Sequence, residues 1–187
     1  MTGGGDRRRY NAAVVKMHIR EARPEDVAAI AQVHVDSWRT TYQGIVASEF
    51  LASLSYEESE RMWRKGLASS PSPVSLHLAE TPDGAVVGFA ATGPEREGNT
   101  TYPGEIYAIY LLQNYQRQGI GRELFRAGGR ELERRGLIPF LLWVLKANRA
   151  RHFYQALGGK FLREKEIQIG NERLMEVAYG WGRGNEL

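Results

Sequence analysis

The chain has 187 residues, 42% hydrophobic and 25% charged, with a formal charge of +3 and no cysteine. That length supports one domain with a buried core and is short for two. No apolar run approaches the roughly 20 residues needed to cross a bilayer, and the lack of cysteine excludes a disulfide framework, a thiolate zinc site and a cysteine nucleophile. Nothing near the N-terminus has the apolar core of a signal peptide, so a cytoplasmic protein is expected. Residues 1–16 contain Gly3, Gly4 and Gly5 beside Arg7, Arg8 and Arg9, which read as a flexible tail rather than a nucleic-acid arm. A single domain is expected over 17–182, with a second short tail over 183–187.

Alternation over 17–22 predicts a first strand. Pro24 stands where a helix start tolerates proline, and Val27, Ile30, Ala31, His34 and Trp38 recur at helical spacing. An amphipathic helix follows, with His34 packed against a partner and not ligating a metal. A short helix is expected around 48–54, and then Ser55 and Glu58 form a capping box for a helix running to about 67. The stretch Ser69-Ser70-Pro71-Ser72-Pro73 cannot continue it. Residues 74–80 and 85–92 predict a hairpin turning at Thr81-Pro82-Asp83-Gly84, and 105–112 a third strand in this half. Gly119 to Arg135 reads as a helix with Gly121, Leu124, Phe125, Gly128 and Leu132 on one face, stopped by Gly136. Residues 138–146 are apolar almost throughout, as in a strand covered on both faces. Asn148 caps a helix carrying Phe153, Tyr154 and Leu157, ended by Gly158-Gly159, and strands over 161–169 and 172–180 turn at Gly170-Asn171.

A Gly-x-Gly pair means little alone, since Gly3/Gly5, Gly180/Gly182 and Gly182/Gly184 share the spacing. Gly119 and Gly121 differ in context. They follow a predicted strand, open a predicted helix, and come after Gln116, Arg117 and Gln118. The first N–H groups of a helix lack internal partners and the dipole there is positive, so a pyrophosphate can bind where no Cβ intrudes. Leu124 stands where a dinucleotide fingerprint needs a small residue, and the Gly-Lys-Ser/Thr of a P-loop is absent.

The run Ile109-Tyr110-Leu111-Leu112-Gln113-Asn114-Tyr115-Gln116-Arg117-Gln118-Gly119-Ile120-Gly121 resembles the signature of the GNAT family of N-acetyltransferases, a strand followed by Gln/Arg-x-x-Gly-x-Gly/Ala. Asn148 with Tyr154 six residues on is similar to that family's second motif. The resemblance covers roughly 17–180, and departs from the family at Gln113, where proline is common, and at Lys160. It implies an α/β (α+β) fold with a mixed, mostly antiparallel sheet of six to seven strands flanked by about four helices. It implies acetyl-CoA as co-substrate, no metal, and a small amine or peptide as acceptor, with neither nucleic acid nor membrane as partner. A homodimer through the terminal strands is common in proteins of this kind.

By the same resemblance, backbone groups of Ile109, Tyr110 and Leu111 bind pantetheine, and an N–H near Leu111 faces the thioester oxygen. Gln116, Arg117, Gln118, Gly119, Ile120, Gly121 and Arg122 hold the phosphates, and Asn148 is a further cofactor-binding residue. Arg149 and Arg151 are further candidate cations. Tyr154 is expected to serve the departing thiolate. An unperturbed phenol is a weaker acid than a thiol, so Tyr154 either has a lowered pKa or only hydrogen-bonds the sulfur. An alkylamine is protonated at neutral pH and must lose a proton before attack. Glu105 is the candidate base, on the reading that strand alternation puts Glu105, Tyr107 and Ile109 on one face. Trp38, Tyr42, Trp63 and Tyr102 are candidates for the acceptor pocket, with Trp63 read as core. A binding module that holds acyl-CoA without turnover stays open beside the enzyme.

Overall fold

The computed structural model describes residues 17–68 and 73–182. The expected tails over 1–16 and 183–187 and the residues 69–72 of the serine-proline loop lie outside the described residues. Strand β1 (His18–Glu21) leads through a 3-10 turn at Pro24–Asp26 into helix α1 (Val27–Thr41). Helices α2 (Ser48–Ser53) and α3 (Tyr56–Ala68) follow, and the Glu58 N–H donates to the Ser55 hydroxyl at 3.3 Å, as the capping signature anticipated. Next come strands β2 (Ser75–Glu80), β3 (Val86–Pro94) and β4 (Gly104–Leu111) and helix α4 (Ile120–Arg134). Strand β5 (Phe140–Leu145), helix α5 (Ala150–Ala156) and the hairpin β6 (Lys160–Ile169) and β7 (Glu172–Trp181) complete the order.

The seven strands form one sheet in the order β1-β2-β3-β4-β5-β7-β6. Every neighbouring pair is antiparallel except β4 with β5, which is parallel. Their connection runs through α4, because parallel neighbours need a crossover and not a tight turn. Two apolar layers cover the sheet. Ile30 and Val33 of α1 pack with Leu76, Leu78 and Phe89 on one face, where Trp63 of α3 also lies. On the other, Ile120 and Leu124 of α4 meet Val87 and Ala90, and Phe125 packs with Phe140, Trp181 and the α5 residues Phe153 and Tyr154. Gly128 lets α4 approach closely, since a Cβ there would stand 2.8 Å from the Thr92 methyl. Helix α2 and the β6–β7 hairpin share a fourth cluster around Val46, Leu51 and Leu145.

Two features of β4 shape the site. A bulge opposite Ala91/Thr92 makes Tyr107 an extra residue in the ladder. Tyr107, Ala108 and Tyr110 therefore face α1, while Ile106, Ile109 and Leu111 face α4. This corrects the expected alternation: the bulge resets the period, so Ile109 is on the opposite face from Tyr107. In addition, β4 pairs with β5 only over Gly104–Ile106 against Phe140–Leu142. Beyond those three pairs the strands separate, and the middle of the sheet opens.

Candidate active site

The opening between β4 and β5 is the mouth of a cleft of about 1230 Å³, larger than the roughly 300–1,000 Å³ usual for pockets of drug-sized ligands. Ile109, Tyr110 and Leu111 line one wall and Trp143 and Val144 the other. One end reaches Gln116–Arg122 at the start of α4, and the other the end of α1 at Thr40–Gln43. The cleft thus joins the two faces of the sheet. Asn148, Phe153 and Tyr154 line it from the α5 side.

At the α4 end the chain makes a tight turn into the helix start. After β4 a 3-10 turn over Gln113–Tyr115 redirects the backbone, and Gln116 Nε2 donates to the Leu111 carbonyl at 3.1 Å. Arg117 and Gly119 take left-handed φ values of 61° and 86°, which turn successive N–H groups toward one side as in other anion-binding concavities. The Gly119 carbonyl accepts from the N–H groups of Arg122 and Glu123. No described carbonyl outside α4 takes the N–H groups of Gln118, Gly119, Ile120 or Gly121, and a helix start offers them none inside. Arg117, Arg122 and Arg149 line the same region without an acidic partner among the described residues, whereas Arg126 is tied to Glu123 at 3.0 Å. Arg151 is not part of the lining.

The β4 wall offers backbone groups. The Leu112 N–H donates to the Val87 carbonyl of β3 at 2.9 Å, so by strand alternation the N–H groups of Leu111 and Ile109 point the other way, into the gap left by β5.

Tyr154 lies 8% exposed in the α5 layer, with its ring edge-on to Trp181 at 6.5 Å. Burial pushes its phenol well up, and the neighbouring Tyr42 adds to the effect. The direction is opposite to the lowered pKa that proton donation to a thiolate would need, and it favours the neutral phenol. Asn148, 7% exposed, accepts the Ala150 N–H on Oδ1 at 2.9 Å and so starts α5.

Glu105 is placed differently from the residues above. It is 1% exposed and does not line the cleft. The Arg96 side chain grips its carboxylate at 2.5–3.2 Å, and the Arg96 N–H adds a bond at 3.2 Å. Arg96 also stacks over the Tyr107 ring at 4.8 Å.

Among the aromatic candidates, Tyr42 lines the cleft, and the Trp38 ring lies tilted against Tyr42 with centroids 4.5 Å apart. Trp63 packs edge-on against Phe89 at 5.1 Å, as core. Tyr102 lies against Gly180, away from the lining. His34 is packed as anticipated, its Nδ1 2.8 Å from the Ser59 hydroxyl, and burial pushes its pKa down to about 4. The described residues hold no group of three or more histidine, aspartate or glutamate side chains able to bind a metal.

Sequence reasoning missed Trp143. It belongs to an apolar strand whose residues look alike in one dimension, and only the divergence of β4 and β5 exposes it to the cleft. Its ring carries Lys165 at 4.0 Å and Arg163 at 5.2 Å.

Residues 32–159 match the family model described as "Acetyltransferase (GNAT) family". The uncharacterized N-acetyltransferase YuaI of Bacillus subtilis is 43% identical over 163 residues, 87% of this chain and 91% of that protein. A spermidine N(1)-acetyltransferase of Thermoplasma acidophilum is 24% identical, over 88% of this chain and 99% of its own. Among solved structures, the PaiA N-acetyltransferase of Thermoplasma acidophilum in complex with coenzyme A superimposes with a TM-score of 0.69 at 22% identity, covering 86% of this chain and 98% of that one. No helix among the described residues is long and apolar enough to cross a membrane.

Proposed function

The chain belongs to the GNAT family of acetyltransferases, and from that membership we propose that it transfers the acetyl group of acetyl-CoA to a primary amine of a small molecule or peptide by direct attack. The observation that carries this is the cleft between β4 and β5, which joins the unpartnered N–H groups of Gln118–Gly121 to the backbone edge of Ile109 and Leu111. The pyrophosphate accepts from the N–H groups at the start of α4, with Arg117 and Arg122 neutralising its charge and Gln116 and Gln118 bracing the loop. Pantetheine runs along Ile109, Tyr110 and Leu111 and passes Asn148. The acetyl group then lies where the strands part.

In the reaction the amine nitrogen attacks the thioester carbon, and the developing oxyanion meets the Leu111 N–H. Collapse breaks the C–S bond. Tyr154, held protonated by burial, hydrogen-bonds the departing sulfur, while the proton the sulfur finally carries is the one lost by the attacking amine. Because Arg96 occupies the Glu105 carboxylate and Glu105 does not line the cleft, the incoming ammonium loses its proton to water in the cleft and not to Glu105 by direct contact. The spermidine-acetylating relative makes polyamines the first acceptors to try.

The test is release of free thiol from acetyl-CoA over a panel of polyamines, amino acids, aminoglycosides and peptide N-termini, with calorimetry of acetyl-CoA binding alongside. Thiol release that falls in Tyr154→Phe while binding persists is the expected result. Tight binding with no release on any amine supports a non-catalytic acyl-CoA-binding module instead, and absence of binding refutes both.

A further inference from the structure

The cleft has a half on each face of the sheet, and with acetyl-CoA on the α4 side the half facing α1 is left for the acceptor. Tyr107 and Tyr110 of β4 face α1. On β5, Val144 packs on the opposite side with Phe125 of α4, while Leu145 packs with Trp38 and Tyr42 at the end of α1. Alternation therefore puts Trp143 on the α1 side as well. Tyr107 and Trp143 stand on opposite walls of the gap, and residues 40–43 close its end.

These walls are aromatic, and their polar atoms are taken or turned inward. The Tyr107 hydroxyl donates to the Pro94 carbonyl, the Tyr110 hydroxyl accepts from the Trp38 indole at 2.8 Å, and the Trp143 indole nitrogen is buried. Cations already sit on both rings: Arg96 lies over Tyr107 at 4.8 Å, and Lys165 and Arg163 over Trp143 at 4.0 and 5.2 Å. Each cation has its own carboxylate. Arg96 holds Glu105, Lys165 holds Glu97 and, at 3.2 Å, Glu176, and Arg163 reaches Glu97 at 3.3 Å.

No charge is left over for an acceptor. Among the described residues the cleft lining contains one carboxylate, Glu123, which lies at the α4 end and is tied to Arg126 at 3.0 Å. An extra ammonium in the α1 half would meet rings that already carry cations and would lose water without gaining a partner. A carboxylate would find Arg96, Arg163 and Lys165 already paired.

Resting on the acetyl-CoA reading above, we infer that the acceptor is a monoamine with an uncharged, flat body that lies between Tyr107 and Trp143, an arylalkylamine and not a polyamine or an amino acid. Its ring packs on the aromatic walls, and its amine is carried to the point where the strands part. Spermidine, the substrate in the name of one relative, brings further ammonium groups that no carboxylate lining this half receives.

The experiment measures thiol release from acetyl-CoA with acceptors matched in length, heptylamine, 1,6-diaminohexane and 6-aminohexanoate, beside phenethylamine and spermidine, with calorimetry of acetyl-CoA binding. Expected is the highest kcat/KM for phenethylamine, then heptylamine, with the diamine and the aminocarboxylate at least about tenfold below heptylamine, the cost of one unpaired polar group. Trp143→Leu keeps an apolar wall and loses the ring contact, so the advantage of phenethylamine over heptylamine falls by about 2–10-fold while acetyl-CoA still binds. Gln43→Glu, at an exposed position, supplies the missing carboxylate and raises the diamine relative to heptylamine by up to about fivefold. Turnover in which the diamine, spermidine or the aminocarboxylate equals or exceeds heptylamine overturns the inference and leaves acetyl transfer standing, as do unchanged ratios in both variants. Acetyl-CoA bound with no thiol released from any of these amines overturns the inference too, and silence across the wider panel above overturns the acetyl-transfer reading with it.

Discussion

The two glycines at the start of α4 have separable roles, and substitutions of different size at the two positions distinguish them. Gly119 is the residue before the helix, with φ +86° and open space, nothing within 4 Å, where a Cβ would stand. Alanine there meets no neighbour but must adopt a left-handed backbone, at about 1–2 kcal/mol. For a chain of this size that lowers Tm by roughly 2–8 °C. Gly121 lies inside the first turn, where a Cβ would touch only the Phe153 ring at 3.5 Å, an ordinary contact. Alanine at Gly121 is therefore neutral for stability or raises it by up to about 1 kcal/mol. The motif admits alanine there, so Gly121→Ala keeps acetyl-CoA affinity close to wild type. In Gly121→Trp the side chain instead fills the space beside the N–H groups proposed to hold the pyrophosphate, and losing one or two bonds to a charged oxygen, each worth about 1.5–3 kcal/mol, weakens acetyl-CoA binding about 10²-fold. Thermal unfolding and calorimetry on these variants read the two effects separately. Gly121→Trp with wild-type affinity refutes the assignment of this helix start as the phosphate site.

Three further outcomes follow from the packing. Burial holds His34 down at about 4, against about 6.5 in the unfolded chain, so the native state binds fewer protons between those values. Stability falls as pH drops from 6.5 toward 4, by up to about 3 kcal/mol; His34→Gln flattens that dependence in urea midpoints, and an unchanged slope refutes it. Asp26 accepts from Arg20 at 2.7 and 2.8 Å and its carboxyl is held below the usual range, chiefly by that bond. Its contribution is present above the unfolded carboxyl pKa and lost as pH falls through the folded one. Asp26→Asn costs about 3 kcal/mol at pH 7 and little in acid, which urea titration at both pH values checks. In Gly159→Ala the Cβ would stand 2.6 Å from the Trp181 ring and 2.9 Å from the Tyr154 carbonyl. Trp181 cannot retreat, because it stacks on Phe140 at 5.4 Å and donates to the Leu157 carbonyl at 2.8 Å. The overpacking lowers Tm by several degrees, at about 1–3 kcal/mol; an unaltered Tm contradicts it.

Local signals in the chain carried most of the element order. Ser55 with Glu58, Gly119 before a 3.6-residue period and Gly170-Asn171 between alternating runs are each set by neighbours within a few residues. For that reason they were legible before any fold. The turn into α4 was legible too, since its requirements are local: a strand end, a glycine at the left-handed position 119 and a helix start. The bulge at Tyr107 was not. Its position depends on the register between β3 and β4, and that register put Ile109 on the face opposite the one alternation gives. Glu105 reads the same in sequence whether it faces a substrate or an arginine, and the loop after β3 brought Arg96 to it.

From its residues alone this protein has a mixed sheet with helices on its faces and a tight turn into a helix start at Gln116–Gly121, because backbone conformation and capping are decided over a few positions. Only the tertiary structure decided where β4 and β5 part, which aromatic side chains enter that gap, and that the Trp38 indole N–H donates to the Tyr110 hydroxyl. Those depend on strand pairing and on contacts between residues as far apart as Trp38 and Tyr110, and no local pattern encodes them.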